Sequence, residues 1–232
     1  MNPRRHVLVV GDVGDDDTGY VGLRLREQHH VVTTRVDRDR LDAWDDRERA
    51  DLVLLLGSGR SGHADDSAAV VERESRYVRG ALASGVPVLG ICYGGQLLAH
   101  ALGGSIGPSP APEIGLFPLD SLDPVLCPPG PWAQMHSDAF VAPPTSRVLG
   151  TSAGGCQGFD DDAHGARALG WQFHPEVTPH EFGTWLDKLG PWARRHGVDD
   201  PDALRETMWA HEDDLRARSA VLVDAAVAHL WA

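Results

Sequence analysis

Between Gly85 and Gly104 the chain reads GVPVLGICYGGQLLAHALGG, and this segment restricts the fold more than any other. Val86 to Ile91 is short, branched and apolar, which predicts a parallel strand covered on both faces. Leu97, Leu98, Ala101 and Leu102 then recur at helical spacing. Gly90 and Gly94 flank Cys92 and remove the Cβ atoms that would clash in a sharp strand-to-helix elbow. Cys92 is thereby placed at a helix N-terminus, where the helix dipole favours thiolate, and becomes a candidate nucleophile. The backbone N–H of Tyr93, the next residue, is placed to meet an oxyanion formed in acyl transfer. A buried structural cysteine beside a tight turn fits the same short pattern, so a second feature has to decide.

That feature is Ala168 to Val177, ALGWQFHPEV. Residues two apart on an extended chain share a face, so His174 and Glu176 can point the same way from a strand end. Glu176 then accepts the proton-bearing nitrogen of His174 and fixes its tautomer, leaving the other nitrogen to exchange a proton with Cys92 or a leaving group. Pro175 stiffens the spacer and has no N–H to satisfy.

Other segments fall in order along the chain: EIGLF (Glu113 to Phe117), DPVL (Asp123 to Leu126), MHSDAF (Met135 to Phe140) and QGF (Gln157 to Phe159). With the GxCxGxQ elbow at Gly90 to Gln96 and the HPE triplet, they give a chain that resembles the class I glutamine amidotransferases from about residue 50 to 180. Within that family it is most similar to the amidotransferase domain of GMP synthase. The resemblance implies a flavodoxin-like α/β fold and a Cys92 thiolate that attacks the side-chain amide of glutamine. His174 would be acid and base, Glu176 would orient it, and the N–H groups of Gly59 and Tyr93 would hold the oxyanion. Gln96 and the backbone at Met135 and His136 would grip the substrate. The family's Ser-Gly-Gly-Pro turn is GSGR here, so Arg60 stands where proline is usual; a solvated loop arginine is the expected reading.

Two other patterns compete. GSGRSG at Gly57 to Gly62 satisfies GxGxxG, but a dinucleotide site needs an acidic residue at the end of the next strand, and that strand ends in GICYGG. GTSAG at Gly150 to Gly154 fits the serine-hydrolase elbow, yet no helix is readable after Ser152. Gly154, Gly155 and Gly158, with Asp160 to Asp162 behind them, predict a glycine-rich loop and an acidic turn. Asp15, Asp16 and Asp17 lack the alternating spacing of a calcium loop and read as a solvated turn.

At 232 residues and 42% hydrophobic content the chain is expected to form one α/β domain over 1–232, with a mainly parallel central sheet and helices on both faces. Strands are expected at His6 to Val10, Val31 to Val36 and Asp51 to Leu56, and a helix at about Asp66 to Ala83. Residues 178–232 predict a C-terminal helical extension packed on the sheet. Asp200 and Pro201 cap it, and Leu204, Met208, Leu215, Leu222 and Leu230 lie near one face. A single helix there would be about 45 Å long, which invites a break. Trp185, Trp192 and Trp209 are expected in the core or at an interface.

Three scattered cysteines give no disulfide framework and no metal spacing, and twelve histidines form no helical metal pair. No metal or cofactor is expected, and a reduced, cytoplasmic setting is. The N-terminal MNPRRHVLVV shows no secretory or membrane pattern. A net charge of −13 argues against a nucleic-acid partner. Nothing resembles an ATP site, so an ammonia-accepting synthetase would be a separate chain. Two alternatives share the sequence signals: a stand-alone γ-glutamyl hydrolase or peptidase, and a non-catalytic flavodoxin-like binding module.

Overall fold

Alternation in the short apolar strands sets the layering. The structure, a computed structural model, describes residues 4–41, 43–45, 50–64 and 66–232. Met1 to Pro3, at the head of the segment read for a leader, lie outside the described residues. In chain order the elements are β1 (His6–Gly11), α1 (Gly19–Glu27), β2 (Val31–Asp37), a 3-10 turn (Arg38–Arg40), β3 (Leu52–Leu55), α2 (Ala68–Ala83), β4 (Val88–Ile91) and α3 (Tyr93–Ala101). There follow β5 (Ser105–Phe117), β6 (Asp120–Ser121), β7 (Trp132–Val141), β8 (Arg147–Ser152), β9 (Gly155–Asp161), β10 (Ala168–Trp171), α4 (Pro179–Arg195), α5 (Pro201–Ala210) and α6 (Glu212–Leu230).

The main sheet has the order β2-β1-β3-β4-β10-β9-β8-β6. It is parallel from β2 to β10 and antiparallel from there to β6. The inner parallel strands β1, β3, β4 and β10 are buried on both sides, as their apolar runs predict, whereas β2, with its VVTTRVD sequence, forms the edge of the sheet. From β1, Val7 and Val9 join Val21 and Leu25 of α1 and Leu222, Val223 and Ala226 of α6 in one core. Leu8 and Val10 point the other way, to Tyr77 and Val78 of α2 and Leu97 and Leu98 of α3. The helices therefore cover both faces, as expected. Each such side chain contributes roughly 1.5–3 kcal/mol on burial.

A third core lies beyond the sheet. β5 and β7 pair as a two-stranded antiparallel ribbon, and Ile114, Ala133 and Met135 from it pack with Phe182 and Leu186 of α4 and Met208 of α5. The C-terminal stripe is broken at His211, between α5 and α6. Asp200 caps α5 by accepting from the N–H groups of Asp202 and Ala203 at 3.1 and 3.0 Å. Met208 and Leu215 serve the third core, whereas Leu222 and Leu230 serve the first, so one stripe is divided between two cores.

Some local expectations need correction. Ser152 ends β8 rather than standing in a loop, and Asp160 and Asp161 close β9 rather than forming a turn. Ala153 and Gly154 instead make the tight connection of a β8–β9 hairpin, with Ser152 paired to Gly155, and strand pairing absorbs the residues on either side.

Candidate active site

The parallel pairing of β4 and β10 puts their C-terminal ends side by side, with Gly90 opposite Gly170 and Ile91 opposite Trp171. Cys92 follows one strand and Gln172 the other. The Cys92 N–H donates to the Trp171 carbonyl at 2.8 Å, which pins the elbow to the neighbouring strand. Cys92 has φ 51° and ψ −113°, a left-handed conformation for a residue with a Cβ. Such strain costs about 1–3 kcal/mol and persists only where the surroundings enforce it. Here they do: a Cβ on Gly90 would collide with the backbone of Gly94 and Gly95, and one on Gly94 with the backbone of Leu55. The thiol sits at the start of α3, against first-turn N–H groups that have no intrahelical acceptor.

His174 Nδ1 lies 2.7 Å from Glu176 Oε1, and both residues are buried. Among the described residues its Nε2 finds no partner at full hydrogen-bond geometry. Burial disfavours charge on the ring, but the Glu176 carboxylate and a negative Cys92 sulfur outweigh it and raise the His174 pKa to about 10. Gln172 Nε2 donates to Cys92 Sγ at 3.5 Å, while Gln96 Nε2 donates to Gln172 Oε1 at 3.2 Å and to the Asp138 carbonyl at 3.1 Å. Burial pushes Cys127 up to about 12 and Cys156 up to about 11, so both stay protonated at neutral pH.

Cys92 and His174 open into a cavity of about 400 Å³. Every residue singled out from the sequence, namely Cys92, His174, Glu176, Gly59, Tyr93, Gln96, Met135 and His136, lies on its wall. Met135 and His136 arrive there because the Ala133 carbonyl of β7 accepts the His174 N–H at 2.8 Å. His136 in turn spans Glu113 Oε2 (3.2 Å) and the Asp138 carbonyl (3.0 Å), and Glu113 also accepts from Ser152 and Gln157. Burial alone would raise the Glu113 carboxyl, but these donors win and hold it below the usual range. No group of His, Cys, Asp and Glu side chains among the described residues has the arrangement to hold a metal ion.

Sequence reasoning missed four residues. A Cβ on Gly57 would stand 3.3 Å from His174 Cε1 and 3.6 Å from Cys92 Cβ, so a side chain there would crowd the imidazole by a few tenths of an ångström. Gln172 reaches the sulfur itself. Trp185 presents its ring edge-on to His174, centroids 4.8 Å apart. Arg38, fully buried, donates to the Leu56 carbonyl at 2.8 Å, lies 4.8 Å from the Tyr93 ring centroid and pairs with Glu74 at 3.5 Å; Glu74 accepts from the Tyr93 hydroxyl at 3.0 Å. Arg60, read as a solvated loop arginine, is partly exposed, with its guanidinium 2.8 Å from the exposed Asp39 and 3.5 Å from Asp12.

Comparison with known proteins follows the same lines. The family model for class I glutamine amidotransferases matches residues 21–188. A glutamine-hydrolyzing GMP synthase from Aeropyrum pernix is 35% identical over 245 residues, covering 97% of this chain and 45% of its own length. One from Mycobacterium tuberculosis is 34% identical over 184 residues, covering 77% of this chain and 33% of its own. The chain thus spans less than half the length of these curated relatives. Among solved structures, a glutamine amidotransferase from Thermotoga maritima has TM-score 0.79 at 24% identity, covering 97% of this chain and 99% of that one. Another, from Methylobacillus flagellatus, has TM-score 0.79 at 21% identity over 98% of this chain and 96% of its own. Both are likenesses of fold.

Proposed function

The chain belongs to the class I glutamine amidotransferase family, and from that premise we propose that it hydrolyses the side-chain amide of glutamine through a Cys92 thioester. The observation that carries this reading is the buried His174–Glu176 pair at 2.7 Å, with the free Nε2 beside the strained Cys92 elbow. In this mechanism the thiolate attacks the γ-carbonyl, and the N–H groups of Gly59 and Tyr93 stabilise the oxyanion. His174 protonates departing ammonia, then activates the water that releases glutamate. Glu176 orients the ring throughout. Gln96 and the backbone at Met135 and His136 hold the amino-acid end of the substrate.

The released ammonia would pass to a synthetase, since the matched relatives are named as glutamine-hydrolyzing GMP synthases. The size of the cavity favours keeping a second reading, a stand-alone γ-glutamyl hydrolase that uses the same steps. Glutaminase activity that rises on adding a partner separates the first from the second. The deciding experiment for the chemistry is a glutaminase assay of wild type beside Cys92→Ala and His174→Ala. Cys92→Ala is expected to lose turnover and the acyl adduct seen by mass spectrometry. His174→Ala is expected to lose about 10²–10⁴-fold in kcat. Undiminished activity in Cys92→Ala would remove the proposal.

A further inference from the structure

The cavity over the thiol must take the whole of glutamine, a molecule well below drug size, yet it holds about 400 Å³, within the roughly 300–1,000 Å³ of clefts that bury drug-sized ligands. The extra room has a defined wall. Trp185, Leu189 and Trp192 stand at i, i+4 and i+7 on α4, so they share one helix face, and all three border the cavity. Trp185 is fixed at both ends: its ring meets His174 edge-on, and its Nε1 donates to Asp15 Oδ1 at 3.3 Å. A leaving nitrogen that takes its proton from His174 therefore departs beside this aromatic wall.

We propose that, besides glutamine, the site deacylates γ-glutamyl amides whose nitrogen carries an apolar substituent, with that substituent lying against Trp185, Leu189 and Trp192. The proposal rests on the reading of Cys92 as nucleophile. The sulfur bonds to the γ-carbonyl, the C–N bond breaks, and the proton from His174 leaves with the nitrogen as a free amine. Water then cleaves the thioester to glutamate and restores the thiol.

The rim sets a second selection. Asp15, Asp17 and Glu181 border the cavity beside Lys188, which lies 4.0 Å from Asp15, while Arg60, also on the wall, is paired with Asp39 and Asp12. Burial and the neighbouring Asp15 and Asp17 raise the Glu181 carboxyl, the mark of crowded negative charge. A leaving group that carries its own carboxylate, as an amino acid does, is repelled there, whereas a simple amine is not.

The test uses the full chain with glutamine, γ-glutamylbenzylamide and γ-glutamylphenylalanine, kcat/KM being read by product mass spectrometry. Benzylamide is expected to exceed the phenylalanine peptide by about tenfold, the scale at which a pocket distinguishes such groups. Trp192→Ala is expected to lower the benzylamide-to-glutamine ratio about tenfold, and Trp192→Phe to restore most of it. Leu189→Ala supplies the same comparison should Trp192→Ala not fold. Glutamine turnover without benzylamide turnover, or a ratio unmoved by these variants, overturns the proposal and leaves the Cys92 reading standing. No turnover of any substrate, with no labelling of Cys92 by 6-diazo-5-oxonorleucine, overturns both.

Discussion

The charge on His174 is held by two neighbours, and this has a measurable sign. Its folded pKa, about 10, lies above the ordinary value of 6.5. The stability it contributes is therefore complete below pH 6.5 and is lost as pH rises through about 10. Glu176→Gln removes one of the raising charges, so the imidazolium should titrate at lower pH, and the upper edge of that window should move down with it. An NMR titration of the His174 ring in wild type and variant checks this; an unmoved titration would mean that Glu176 does not act on the ring. Arg38 offers a second residue-scale test. Burial raises the Glu74 carboxyl in spite of Arg38, so this pair does not fully repay its own desolvation. Its effect is to tie Leu56, ahead of the Gly59 loop, to the side chain of Tyr93. Arg38→Met should cost about 3–5 kcal/mol at pH 8 and less at pH 6, because falling pH favours the neutral form of a carboxyl that burial already raises and that the variant leaves without its guanidinium. It should lower kcat more than it changes KM, and urea unfolding with steady-state kinetics at both pH values checks it. Cys92, His174 and Glu176 were legible because each belongs to a short local pattern with a geometric reason. Gly57, Arg38 and Trp185 were not, because their roles depend on which distant segment they meet after folding.

At the scale of elements, the β5–β7 ribbon is joined to the main sheet by Glu113, which receives bonds from Ser152 of β8 and Gln157 of β9 as well as His136. Glu113→Ala orphans buried donors on three strands and should cost about 2–4 kcal/mol at pH 7. The wild-type carboxyl is held below its ordinary 4.5, so its contribution is present above that pH and lost as pH falls through the folded value. Urea unfolding at pH 7 and pH 4 should show the gap between wild type and variant narrowing in acid. The elements themselves were largely legible: β1, β2, β3, β4 and α2 fall within two residues of their expected bounds. The elbow was legible too, since its glycines are dictated by backbone contact. The ribbon and the β8–β9 hairpin were not, because glycine-rich polar segments carry no strong period and take their form from the strand they pair with.

For the whole molecule, α6 decides how the cores respond together. Leu215 lies in the core beneath α4, and Leu222 and Leu230 lie in the core against the sheet, so one rigid helix is common to both. We expect thermal unfolding as one cooperative transition, with Leu222→Ala lowering the stability of both regions by about 2–5 kcal/mol. Calorimetry with hydrogen exchange measures it; two separated transitions, or a loss confined to the sheet core, would show that the two regions unfold independently. Among the described residues no helix is long and apolar enough to cross a membrane. The parallel seam between β4 and β10 also limits how such a chain can change in length over evolution. An insertion or deletion of one residue within Ala168–Trp171 would invert the facing of everything that follows and turn the imidazole away from the sulfur. The surface connections can lengthen freely, so among descendants of this sequence the tips should drift while the spacing through this seam stays fixed.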